Sequence, residues 1–294
     1  MKNSLRTEFN LLLYKYGSTI NLIIAINIFF FLFINLVQLG ESLFMTGIHH
    51  PFPIRDWILR NTTLPADFGS FLQKPWTLLS YMFMHQEIFH ILLNMLVLFF
   101  VGKIFIEFLG DKKFAFVYIF GGIAGGALFL LLYRFIPSLA SQAYNSTLLG
   151  ASAGIMAILV GTATLLPNYS VFVIFIGTIP LKWVAAFLVV VDLIFIPINN
   201  PGGHISHLGG ALFGFLYIQQ LNRGNDWALP FQRLFQKRKK THLKVVSRNP
   251  ILVPTTEKDQ EQLVDEILDK ISKTGFKSLS EKEKQTLNKA SQNF

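Results

Sequence analysis

Residues 148–157 read LLGASAGIMA, and within them Gly150-Ala151-Ser152-Ala153-Gly154 matches the pattern G-x-S-x-G. In soluble hydrolases that pattern places a nucleophilic serine on a tight turn between a strand and a helix. Here Leu148 to Leu166 carries no charge, and its neighbours are equally apolar. No strand is expected before Ser152, which excludes the soluble α/β-hydrolase reading. The stretch reads instead as a membrane span with a serine near one end.

Composition points the same way. Of 294 residues, 52% are hydrophobic and only 15% charged, and mean hydropathy is +0.46. Soluble domains carry about 25% charged residues. The absence of cysteine excludes disulfides, thiolate metal sites and a thiol nucleophile. His49, His50 and His242 show no ligand spacing, so no metal and no cofactor are expected. The net charge of +9 is concentrated late, with 15 of 26 Lys and Arg from Arg223 onward. The cluster Lys237-Arg238-Lys239-Lys240 reads as a flank near anionic lipid rather than a nucleic-acid site.

A helical span needs about 20 apolar residues. Six candidates are legible: 20–39, 77–105, 114–133, 148–166, 181–198 and 205–221. The first is longer than the apolar run of a signal peptide, and no small-residue cleavage site follows it. Residues 1–19 then form a cytoplasmic N-terminus, 20–221 the membrane core, 222–254 a basic linker and 255–294 a small helical hairpin. The long loop 40–75 is rich in proline and aromatics and is expected to lie in the interface outside. Tyr169 to Pro180, apolar and bounded by prolines, is too short to span and reads as an interfacial hairpin. Lys2, Arg6, Lys15 and the basic tail put both termini on the cytoplasmic side by the positive-inside rule. Spans four and six then both start outside, so Ser152 and His207 meet at similar depth.

Polar groups in apolar spans are costly and face the bundle interior or a water cavity. Span two holds His85, Glu87, His90 and Asn94, with His90 and Asn94 at i,i+4 on one face. In span six, His207, Gly210 and Gly214 share a stripe, and glycines at that spacing allow close helix contact. Span four has small residues all round, including Gly150, Gly154, Ala157 and Gly161, as a central helix would. A serine needs a base to take its proton, and the oxyanion that follows needs fixed donors. Ser152, His207, His90 and Asn94 supply those chemistries.

At these residues the sequence resembles the rhomboid family of intramembrane serine proteases, over roughly Phe71 to Gln220. HQEIFHILLN, with His85, His90 and Asn94, is similar to the family's H-x-x-x-x-H-x-x-x-N. GASAG is similar to its serine motif, and HLGGALFG, with His207, Gly210 and Gly214, to its H-x-x-G-x-x-x-G. GKIFIEFLG, with Gly102, Glu107 and Gly110, is similar to its span-two end. The resemblance implies an all-α, six-span bundle of bacterial type, in a bacterial cytoplasmic membrane. It implies Ser152 as nucleophile, His207 as general base, and an oxyanion site of His90, Asn94 and the Ser152 N–H. His85, Gly150, Gly154, Gly210 and Gly214 would support that site. The substrates implied are single-span membrane proteins within the bilayer. Two departures stand out: Ala153 follows the serine where many members have glycine, and Trp76 is followed by Thr77 rather than arginine.

Asp192 in span five invites a Ser-His-Asp triad; the resemblance implies a dyad, which leaves Asp192 as a structural group bonded to a Tyr or Trp. His204, a turn before His207, reads as a loop or rim residue. The alternative function is a catalytically silent, client-binding relative, although such proteins lose the serine or histidine that this chain keeps. A transporter lined by His85, Glu87, His90 and Asp192 is disfavoured by the lack of an inverted repeat. In the tail, Leu263, Val264, Ile267, Leu268 and Ile271 form an apolar stripe, Gly275 a helix stop, and Ser280 to Glu283 a capping box. The tail is expected to bind a cytoplasmic partner of unknown kind.

Overall fold

A computed structural model describes residues 18–44, 53–234 and 257–291. The N-terminal basic residues, His49, His50, His242 and the Lys237 to Lys240 cluster lie outside the described residues. The chain divides into two compact units, residues 1–236 and 237–294.

The first unit is built on six long helices: α1 (Ser18–Phe44), α2 (Ile88–Leu109), α3 (Asp111–Phe135), α4 (Ser152–Leu165), α5 (Leu181–Phe195) and α6 (Pro201–Asn222). Among the described residues α1, α2 and α3 are long and apolar enough to cross a membrane, and α4 is a shorter apolar helix. The architecture is all-α and polytopic.

Close approach around α4 organises the bundle. Almost every α4 residue from Ala153 to Ala163 is buried. Glycines of α3 and α6 meet it on two sides: Gly121 faces Ala157, Gly125 faces Ala153, and Gly210 and Gly214 lie against the carbonyls of Ala153 and Ala157. In lipid, where apolar surface gives little drive for helix association, such backbone proximity supplies the dispersion contact that holds helices together. Exposed large apolar side chains lie on the outside, Phe29, Phe33, Phe89, Leu93 and Phe187 among them.

Two short antiparallel strand pairs complete this unit among the described residues. β1 (Leu64–Pro65) pairs antiparallel with β2 (Thr147–Leu148), Leu64 opposite Leu148. β3 (Ser170–Val173) pairs with β4 (Gly177–Pro180) between α4 and α5, where the sequence reads as a hairpin. The loop before β1 contains a helix, Ile54–Thr62, and a second, Phe68–Gln73, follows. Asp67 caps the latter by accepting from Ser70 N–H at 2.7 Å, and the Ser70 side chain, then this N–H, hold its carboxyl below the usual range.

The boundaries differ from those read in sequence at instructive places. The expected span 77–105 is broken: a helical turn at Thr77–Ser80 and a 3₁₀ turn at Tyr81–Phe83 give way to extended chain before α2 starts at Ile88. His85 is therefore not on the helix of His90. A two-residue strand does precede Ser152, contrary to expectation, but it belongs to the long-range β1–β2 pair and not to a central sheet. Helix α6 starts at Pro201, not Ile205. Asn200 adopts a left-handed conformation (φ 39°), and its side chain accepts from Gly203 N–H at 3.2 Å. An Asn cap followed by Pro at the first helical position is a strong start signal. It places His204 inside the helix, not on a loop.

The second unit holds α7 (Glu257–Thr274) and α8 (Glu281–Ser291). Gly275 leaves α7 with φ 83°. The Ser280 N–H and hydroxyl both donate to Glu283 Oε2, at 2.7 and 2.8 Å. Lys270 reaches from α7 to Glu283 Oε1 at 2.7 Å, and Ile267 on α7 and Leu279 between the helices are buried.

Candidate active site

The chain turns sharply before α4. Gly150 has φ 117°, a region open to glycine, and its N–H donates to Tyr81 O at 2.9 Å. A β-carbon there would lie 2.9 Å from the His90 ring. The turn delivers Ser152 as the first residue of α4. The first N–H groups of a helix have no intrahelical acceptor. Those of Ser152, Ala153 and Gly154 have no other acceptor among the described residues.

Gly210 and Gly214 bring α6 against α4, and His207 lies one turn before Gly210. Ser152, His207 and His90 line one cavity of about 450 Å³, with Glu87, Asn200 and Gly203. Ser152 Oγ has no hydrogen-bond partner among the described residues. Catalytic bonds of this kind commonly close only when substrate arrives.

The other ring nitrogen of His207 is engaged. His207 Nδ1 lies 2.8 Å from Asp192 Oδ1, and His204 Nδ1 lies at the same distance from the same oxygen. Asp192 is buried on α5. Its partners are thus two histidines, His207 beside the cavity and His204, and not the Tyr or Trp expected from sequence. An acceptor at Nδ1 fixes the ring proton there and leaves the Nε2 lone pair free.

The expected donors on α2 divide. His90 lines the cavity, whereas the Asn94 amide lies 2.9 Å from His85 Nε2. That nitrogen also faces the Ala151 N–H at 3.5 Å, and the His85 and His90 rings meet edge to face with centroids 5.0 Å apart. Fully buried His85 therefore ties the loop before Ser152 to α2. Gly154 lies against Tyr118 of α3, at 2.7 Å from its carbonyl oxygen to a built β-carbon, and so serves packing.

Sequence reasoning missed one contribution and set a second aside. The β1–β2 pairing joins the long loop to the segment just before Ser152, through contacts no local pattern displays. The bond between Asp192 and His207 crosses two helices, and only the depth of Asp192 hinted at it.

Residues 72–223 match the rhomboid domain. The chain belongs to the rhomboid family. Rhomboid proteins are in general intramembrane serine proteases, and the bundle described above is the all-α polytopic fold of the family. Residues 256–293, covering the α7–α8 unit, match a family of unknown function, DUF6576. Curated rhomboid relatives include the mitochondrial presenilin-associated rhomboid-like protein of mouse, 28% identical over 144 residues, which cover 46% of this chain and 35% of that protein. Rhomboid protein 1, mitochondrial, of Saccharomyces cerevisiae is 33% identical over 144 residues, covering 46% and 38%. RHOMBOID-like protein 12, mitochondrial, of Arabidopsis thaliana is 24% identical over 157 residues, covering 50% and 47%. The chain thus spans between a third and a half of these rhomboids' length.

These relatives correct one expectation. The rhomboids matched are mitochondrial proteins of animals, yeast and a plant, which overturns the bacterial cytoplasmic membrane and the cytoplasmic placement of both termini read from basic residues. The multi-pass membrane character stands.

Proposed function

We propose that this rhomboid is an intramembrane serine endopeptidase in which Ser152 is the nucleophile and His207 the general base. The observation that carries the reading is the single cavity lined by Ser152, His207 and His90, from three different helices. His207 Nε2 takes the Ser152 proton as Oγ attacks the scissile carbonyl. Asp192 holds the ring by Nδ1 and stabilises the imidazolium, so the dyad gains a positioning residue. The α4 N–H groups and His90 receive the oxyanion, with Asn94 acting at least in part through His85. The imidazolium then protonates the leaving amine, and water hydrolyses the acyl-enzyme.

In a six-span bundle the starts of α4 and α6 lie at one face. Substrates are single-span proteins. A helix hides its carbonyls in i to i−4 bonds, so the cleaved segment must unwind, and Gly, Pro or small residues near that face favour it. The names of the relatives make a mitochondrial membrane the setting to examine first. Purified protein in liposomes should cleave such a span. The Ser152→Ala variant should not, and a poly-leucine replacement of the cleaved region should resist. Cleavage by Ser152→Ala would overturn the mechanism, and equal cleavage of the poly-leucine segment would remove unwinding from it.

A further inference from the structure

One carboxylate oxygen beside the cavity serves two histidines. Asp192 Oδ1 lies 2.8 Å from both His204 Nδ1 and His207 Nδ1, and the three atoms lie within 4.8 Å of one another. The Asp192 side chain is 7% exposed, His204 17% and His207 25%, so a buried acid faces two rings that solvent reaches. His204 Nε2 faces a second acceptor, Asn199 Oδ1, at 3.3 Å. A neutral imidazole has one N–H. With an oxygen acceptor at each nitrogen, neutral His204 leaves one contact without a proton. A cation on Nδ1 resolves this: the ring proton then sits on Nε2 and donates to Asn199. Metal-ligating histidines almost always donate their other N–H in this way, and amide and carboxylate oxygens are suitable acceptors.

We infer that Asp192, His204 and His207 form an inhibitory binding site for Zn²⁺. Two imidazole nitrogens and one carboxylate oxygen are a zinc donor set, and three protein ligands leave a fourth position for water. His207 lines the cavity from which that water comes. Tetrahedral bonds of about 2.0–2.1 Å place donors about 3.3 Å apart. The two 2.8 Å contacts must therefore open by about half an ångström, a small rotation of rings that are not fully buried.

The inhibition rests on the reading of His207 as general base. Zinc on Nδ1 moves the remaining ring proton to Nε2, with no proton gained or lost by the ring. A protonated Nε2 cannot accept the Ser152 proton. The metal thus disables the base without touching the nucleophile.

The test uses the full chain in lipid nanodiscs, with Co²⁺ as the spectroscopic probe and Zn²⁺ as its competitor. The chain has no cysteine, so no thiolate band obscures the ligand-field spectrum. One equivalent of Co²⁺ should give a tetrahedral spectrum that Zn²⁺ abolishes. His204→Ala and Asp192→Asn should each weaken binding by about 10–100-fold or more, the loss known for disturbed metal surroundings. Phosphonate labelling of Ser152 should fall with Zn²⁺ at the same midpoint, and each variant, normalised to its own metal-free rate, should shift that midpoint equally. His49, His50 and His242 stay in place throughout, so a midpoint unchanged in His204→Ala would locate the inhibitory metal elsewhere and overturn the proposal. So would the absence of a Co²⁺ spectrum in the wild type, which would mean that a second proton satisfies His204. A spectrum lost in both variants, with Ser152 inert at every metal concentration, would sink the protease reading and leave the metal site standing.

Discussion

Gly210→Ala tests how the fold sets the distance between base and nucleophile. A methyl group at Gly210 would overlap the Ala153 carbonyl oxygen and lie 2.8 Å from its carbonyl carbon, where ordinary contact begins at 3.4 Å. These atoms are backbone, so no side chain can swing aside. The closer carbonyl oxygen sets the demand, and helix α6 must back away from α4 by about 1 Å or more at this point. Overpacking of this kind costs about 1–3 kcal/mol. His207 sits one turn away on the same helix and moves with it. A misplacement approaching 1 Å can cost about 10² in rate, so Ser152 acylation by a phosphonate should slow by about 10–100-fold. Gly161→Ala is the control, because its nearest contact would be an ordinary 3.5 Å to Gly214 O. Replacing a helical glycine there should be neutral or stabilise by up to about 1 kcal/mol. The assay pairs the labelling rate with thermal unfolding in detergent. Gly210→Ala with the wild-type rate and melting temperature would refute the argument from helix approach.

Asp192→Asn should lower kcat by about 10²–10⁴ with KM little changed, the upper figure being that of an orienting Asp in a soluble triad; Asp192→Glu should recover part of the loss. An equal rise in KM with kcat intact would make Asp192 a purely structural residue. Gly150→Ala forces a positive φ on an L-residue and crowds His90, so it should cost about 1–3 kcal/mol of stability and most of the labelling rate; full activity would mean that the turn relaxes. In the tail, the Lys270 ammonium and then the Ser280 N–H and hydroxyl hold Glu283 down to about 2. A depressed carboxyl contributes stability above its unfolded value, near 4.5, which is lost as pH falls toward 2. Helicity of a 255–294 peptide should therefore decline across that window, and Lys270→Ala should move the decline upward; a pH-independent signal would remove the ion pair from the account.

Much of this architecture is legible in the sequence because lipid imposes strict rules. Apolar length reports helices such as α1 and α3, and the small residues of α4 report its central position. Ser152, His207 and His90 stand out because polar groups in apolar segments are rare. The break between Thr77 and Ile88 is not legible: Met84 to Glu87 contains no Pro or Gly, and the extended chain there follows from tertiary bonds such as His85 to Asn94. The partner of Asp192 is hidden for a related reason, since hydrophobic periodicity gives the face of a helix but not which residue of the next helix it meets. The early start of α6 was available in Asn200-Pro201, a cap signal masked by an apolar run that begins later.

The central claim is that Ser152 is a nucleophile activated by His207. A fluorophosphonate reacted with the full chain in nanodiscs, followed by peptide mass spectrometry, measures this directly. One adduct should form, on Ser152 Oγ. It should vanish in Ser152→Ala and form at least about 10²-fold more slowly in His207→Ala, the scale of a lost general base. An adduct on another residue, or labelling of Ser152 at an unchanged rate without His207, would contradict the account.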